Sequence, residues 1–145
     1  MAIVFISMTV FIKVSVWIKL SLDGTCSLLL TPYAVIDSAG RHMLFPYNLS
    51  FLLTFFILVS SSYAITRHNN RKLQLKLIAA INFGLITLML LLAYFIKKID
   101  EISIPGGLSA YKVGIALPYI AFIASLLAWH YIKNDEKLVN NDRLR

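Results

Sequence analysis

The chain has 145 residues, 59% of them hydrophobic and only 14% charged, with a net charge of +7 and a mean hydropathy of +0.76. A water-soluble domain of this length would be near half apolar and about a quarter charged, so the composition excludes an ordinary soluble domain and points to a polytopic membrane protein. The cations flank apolar runs instead of gathering on one polar face, which argues against nucleic acid as a partner. A single cysteine, Cys26, leaves no internal disulfide and no thiolate metal cluster, and the residues before it do not form a lipid-attachment pattern.

The first apolar run, 2–22, reads as a spanning helix with Lys13 past its middle and Lys19 near its end. A lysine at mid-membrane costs about 2.5–3.5 kcal/mol on insertion scales unless it snorkels to an interface. A native start upstream of Met1 would move Lys13 toward the far interface, with Trp17 and Lys19 as anchors, so the natural protein is expected to be longer. No cleavable signal is expected, because no cation precedes the run and no small-residue cleavage site follows it. Residues 21–48 form the longest non-spanning stretch. Within it, 25–30 and 41–45 are strand-like and Asp37-Ser38-Ala39-Gly40 has turn composition, which predicts a small hairpin on the outer face.

The second span is 49–66, and the basic turn 67–76 after it carries Arg67, Arg71, Lys72 and Lys76. Clustered cations resist translocation, so this turn is expected in the cytoplasm. The third span, 77–96, holds Asn82 and the small-residue pair Ala80 and Gly84. An outer loop with Pro105-Gly106-Gly107 leads to the fourth span, 113–132, in which Pro118 is expected to kink the helix. Ala121 with Ser125, and Ala124 with Ala128, are further small pairs that permit close helix approach. Trp129-His130-Tyr131 closes the span as an interfacial belt, and the tail 133–145 mixes Asp135, Glu136 and Asp142 with Lys133, Lys137, Arg143 and Arg145. Eight Lys/Arg fall in the turn and tail, against five (Lys19, Arg41, Lys97, Lys98 and Lys112) on the other side. The expectation is one integral-membrane domain, 1–145, an all-α four-helix bundle with both termini cytoplasmic.

Two tail motifs carry a family resemblance. Lys133-Asn134-Asp135-Glu136-Lys137-Leu138-Val139 and the closing Asp142-Arg143-Leu144-Arg145 are similar to the C-terminal signature of domain-of-unknown-function family 4293, small four-span bacterial inner-membrane proteins. Asn70-Arg71-Lys72-Leu73-Gln74 resembles the family's central turn, and Leu117-Pro118 its last span. The likeness covers about residues 50–145 and is weak over 1–47, where the chain lacks the short basic opening stretch of family members. It implies an inner-membrane location and four helices, and it brings no known activity, so no functional residue carries over.

The chemistry legible in the residues is sparse. His68 and His130 could in principle hold a haem, but they sit at the rim beside cations, and interfacial anchoring explains them better. Asn82 reads as an interhelical hydrogen bond more readily than as part of a permeation path. There is no Ser/His/Asp set, metal-ligand spacing or phosphate loop, so neither an enzyme nor a cofactor is expected. The preferred reading is an accessory or scaffold subunit whose contacts to a membrane-protein partner, or to a second copy, come from Arg67, Arg71, Lys72, Asp135, Glu136, Asp142, Arg143 and Arg145. In that reading Ala80, Asn82, Gly84, Ala121 and Ser125 pack helices. The competing reading is a small transporter or channel with its path near Asn82, Thr87 and Pro118.

Overall fold

The computed structural model describes residues 1–21, 26–43, 46–67, 71–102 and 108–142. Helix α1 is Ala2–Lys13, followed by β1 (Trp17–Leu20), β2 (Cys26–Leu30), β3 (Val35–Asp37) and β4 (His42–Met43). Helices α2 (Asn48–Thr66) and α3 (Arg71–Ile102) then form an antiparallel pair, and β5 (Leu108–Tyr111) returns to the sheet before α4 (Ala116–Asp142). Three helices contain segments long and apolar enough to cross a membrane, Asn48–Thr66, Leu73–Glu101 and Val113–Asp135. This is a multi-pass membrane protein, mostly helical, with an antiparallel sheet at one end.

The predicted first span is corrected. The helix stops at Lys13 after 12 residues, about 18 Å, short of a hydrocarbon core of about 30 Å. Val14 turns extended, its N–H still bonded to Phe11 O, and Trp17–Leu20 leaves the bundle as a strand. Hydropathy cannot separate the two states here. Val-Ser-Val-Trp-Ile suits a strand through its β-branched and aromatic side chains, and strand partners on both sides decide the matter. Lys13 is therefore an exposed residue at the end of a short helix and not one in the middle of a spanning one.

The predicted hairpin is also corrected. Five strands in the order β4-β3-β2-β1-β5 form one antiparallel sheet. β2 pairs with β1 and β3, and the turn after Asp37 joins β3 to β4, with Gly40 at φ +72° and its N–H donating to Asp37 O. That turn is where its composition places it. β1 and β5, drawn from opposite ends of the sequence, pair Trp17 with Tyr111 and Lys19 with Ser109.

Two more boundaries move. α3 runs 32 residues, so the basic turn shortens, and Arg71–Lys76 become the helix's first turns. Pro118 lies in the first turn of α4, after a 3-10 turn at Val113–Ile115. At that position the missing N–H costs no intrahelical bond, so the expected kink has no cause.

The core between the helices is mostly apolar, with Thr54, Ser61 and Ser125 among its buried polar residues. Val4, Met8, Phe11, Ile57, Leu85 and Leu88 are fully buried in it. The bundle's outside is equally apolar, with Phe83 74%, Leu90 68% and Ile123 58% exposed. In water such a surface would aggregate, whereas in lipid it is simply solvated.

Candidate functional site

The described polar chemistry concentrates at the sheet end. Because facing residues in adjacent strands share a face, Trp17, Leu30 and Val35 point together, and all three are buried in the core. The side chain of Lys19, two residues on from Trp17, therefore also points toward the bundle. It is 5% exposed, and its Nζ lies 2.8 Å from Asp100 Oδ1 in the last turns of α3 while also donating to the Asp100 carbonyl at 3.3 Å. Ser109 Oγ on β5 donates to the same Oδ1 at 2.8 Å. One carboxylate thus ties α3 to both β1 and β5. Sequence reasoning took Lys19 for a snorkelling anchor; the period-two alternation with buried Trp17 was the signal available to place it inward.

Beside this junction lies a cleft of about 660 Å³ between α3, α4 and β5. Trp17 forms its buried floor, and Tyr111 and Tyr119 line its open side. No expected site residue falls here. The chain is brought close to itself nearby at Gly114, where an added Cβ would sit 2.9 Å from the Ser15 carbonyl carbon and nearer still to its oxygen.

The small residues singled out in the sequence are internal. Gly84 packs on Ile57 of α2, with 3.2 Å from an added Cβ to Ile57 Cγ1, and Ala121 and Ser125 are fully buried on α4. Ala80 is half-buried on α3. The interhelical hydrogen bond expected of Asn82 is not found at its Oδ1, which is buried without a hydrogen-bond partner among the described residues, as is Ser125 Oγ. Thr87 donates to Phe83 O on its own helix.

At the opposite end, Gln74 Nε2 donates to Ala64 O at 3.0 Å, fastening the start of α3 to α2. The Arg67 guanidinium lies 5.9 Å from the Tyr63 ring centre and the Lys133 ammonium 4.6 Å from that of Trp129, both within cation–π range. Arg71 Nη1 is buried without a hydrogen-bond partner among the described residues. His130 meets Asn134 one turn on at 3.1 Å and is exposed. Asp135 is an exposed residue of α4, whose backbone carries Glu136 and Asp142; Arg143, Arg145 and His68 lie outside the described residues. The structure brings Arg67, Arg71 and Asp135 to the same end of the bundle.

A family model described as domain of unknown function (DUF4293) matches residues 1–144. The chain belongs to this family. The match extends through the first 47 residues, where the motif likeness was weak, so α1 and strands β1 to β4 are part of what this family model covers. No curated protein matches the chain.

Proposed function

We propose that the protein is a small non-catalytic accessory or scaffold subunit of the bacterial inner membrane, holding a partner through its basic turn and tail. The observation that carries this reading is the meeting of charged helix ends at one end of the bundle. Ile115, just before α4, and Tyr119 in its first turns line the same cleft as Ala93 and Ile96 of α3. From that level, about twenty residues at roughly 1.5 Å each bring α3 down to Lys76 and α4 to Asp135. Arg71 and Lys76 in the first turns of α3, and Lys133 and Asp135 at the end of the apolar segment of α4, thus give the two helices charged ends on the same side of the bundle. Two preformed helices offer a partner a docking surface whose ordering cost is already met. Placing this end in the cytoplasm, with both termini, follows from the excess of Lys/Arg there.

The test is a pull-down of tagged full-length protein in mild detergent or nanodiscs, read by mass spectrometry, with and without residues 135–145. A stoichiometric partner lost on truncation, with insertion unchanged, supports the proposal. No partner for the full-length chain counts against it, and capture that ignores the truncation removes the tail.

The orphaned Asn82 Oδ1 and Ser125 Oγ favour a second reading, a transporter or channel, since a passing solute would satisfy them. The first reading is stronger, because Leu85, Leu88 and Ile81 fill the space between helices at that depth and Pro118 and Thr87 are not arranged around an opening.

A further inference from the structure

On the outside of the bundle, Phe5 in the first turns of α1 meets Leu58, Val59, Ser62, Tyr63 and Thr66 in the last turns of α2, and together they line a shallow groove of about 370 Å³. Along α2 the lining changes in one direction. Leu58 and Val59 lie near the middle of the helix, Ser62 and Tyr63 follow one turn on, and Thr66 ends the helix, a run of about 12 Å. Arg67 comes next as the C-cap, and its guanidinium rests 5.9 Å from the ring centre of Tyr63, the groove's own aromatic. Apolar side chains thus give way to hydroxyls and then to a cation, in chain order and in depth order alike. Tyr is a side chain that sits where hydrocarbon meets headgroups. A groove of this kind fits an acyl chain that ends in a phosphate.

The charge at this end selects the head. Arg67 is exposed, and no carboxylate among the described residues pairs with it. A guanidinium over a ring keeps its forked N–H edge for a phosphate. The other charged side chains described at this end are Arg71, Lys76 and Lys133 with a single acid, Asp135, so the local excess is positive and favours a head with net negative charge. The negative end of the α2 dipole, which would oppose a phosphate, is partly covered: Tyr63 O accepts from Arg67 N–H at 3.1 Å and from Thr66 Oγ1 at 3.0 Å, and Ala64 O accepts from Gln74 Nε2. A second helix is a poorer occupant, because helices approach closely over small residues and Phe5, Leu58 and Tyr63 are bulky. We propose that this groove holds one anionic phospholipid, an acyl chain along Phe5, Leu58 and Val59 and its phosphate at Arg67. The inference needs only that the chain is embedded in a bilayer, and its test contains no protein partner.

Native mass spectrometry of the full-length protein released from micelles tests it, with phosphatidylglycerol and phosphatidylethanolamine added in equal amounts. The expected result is one retained phosphatidylglycerol per chain in preference to phosphatidylethanolamine. Arg67→Gln, a surface change, lowers retention by about tenfold, the value of one charge-assisted hydrogen bond. Val59→Trp, at a position 53% exposed, fills the apolar end of the groove and abolishes the adduct, with circular dichroism checking the fold. Lys112→Gln, which removes an exposed cation at the sheet end, leaves retention unchanged and separates a site from net charge. Equal retention of both lipids, preference for phosphatidylethanolamine, an adduct that survives Arg67→Gln or Val59→Trp, or an equal loss with Lys112→Gln overturns the proposal.

Discussion

Replacing Gly114 by alanine tests how the sheet end is assembled. The added methyl would meet the backbone of Ser15, with the carbonyl carbon at 2.9 Å and the oxygen closer, and Val14 O at 3.2 Å. Backbone atoms cannot swing aside as a side-chain tip can, so the start of α4 or the link from α1 to β1 has to move by about 1 Å to reach normal contact. The Lys112 N–H to Val16 O bond, 3.0 Å long, joins those same two segments and would be stretched past hydrogen-bonding distance. Overpacking costs about 1–3 kcal/mol and the lost bond about 1, so Gly114→Ala is expected to destabilise by about 2–4 kcal/mol. Gly84→Ala is the control. Its methyl meets side chains and no backbone, Ile57 Cγ1 at 3.2 Å, Ile57 Cδ1 at 3.6 Å and Phe56 at 3.9 Å, so a shift of a few tenths of an ångström relieves it and the gain in helix propensity, up to about 1 kcal/mol, offsets the crowding. Equilibrium unfolding in micelles, titrated with SDS and followed by helical circular dichroism, measures both. A Gly114→Ala stability within about 0.5 kcal/mol of the parent, or the same loss for both variants, would refute the close approach inferred at Gly114.

Three further outcomes follow from the same geometry. Asp100→Ala, which strands the buried Lys19 ammonium, should destabilise more than Lys19→Met, and the double variant should recover part of the loss; thermal unfolding of the three gives the order, and simple additivity would contradict the pairing. Ser125→Ala removes a buried hydroxyl with no partner and should be neutral or stabilising by up to about 1 kcal/mol, whereas a clear loss in the same unfolding assay would reveal a hydrogen bond. With Cys26→Ser as background, Ser38→Cys in the exposed turn should react with a membrane-impermeant maleimide in intact cells and Lys133→Cys should not; the reverse pattern inverts the topology.

Much of the architecture was legible in residue order alone. The runs now seen as α2, α3 and α4 are uninterrupted apolar stretches, and in lipid a helix satisfies its own backbone, so hydropathy finds it without knowledge of its neighbours. The Asp37–Gly40 turn and the inward small residues Gly84, Ala121 and Ser125 are local signals of the same kind. The cleft was not legible, because Trp17, Asp100, Ser109 and Tyr119 are scattered through the chain and none is unusual where it stands. The first run shows the limit most clearly. Composition says that residues 2–22 are greasy, and nothing within them says that the helix ends at Lys13. That was decided by β2 and β5, which offer Trp17–Leu20 hydrogen bonds on both edges, and by Asp100, which gives Lys19 an ion partner more than eighty residues away. A helix closes its hydrogen bonds within a few residues and can be read locally. A strand and a buried charge are completed by distant parts of the chain, and those meet only in the folded molecule.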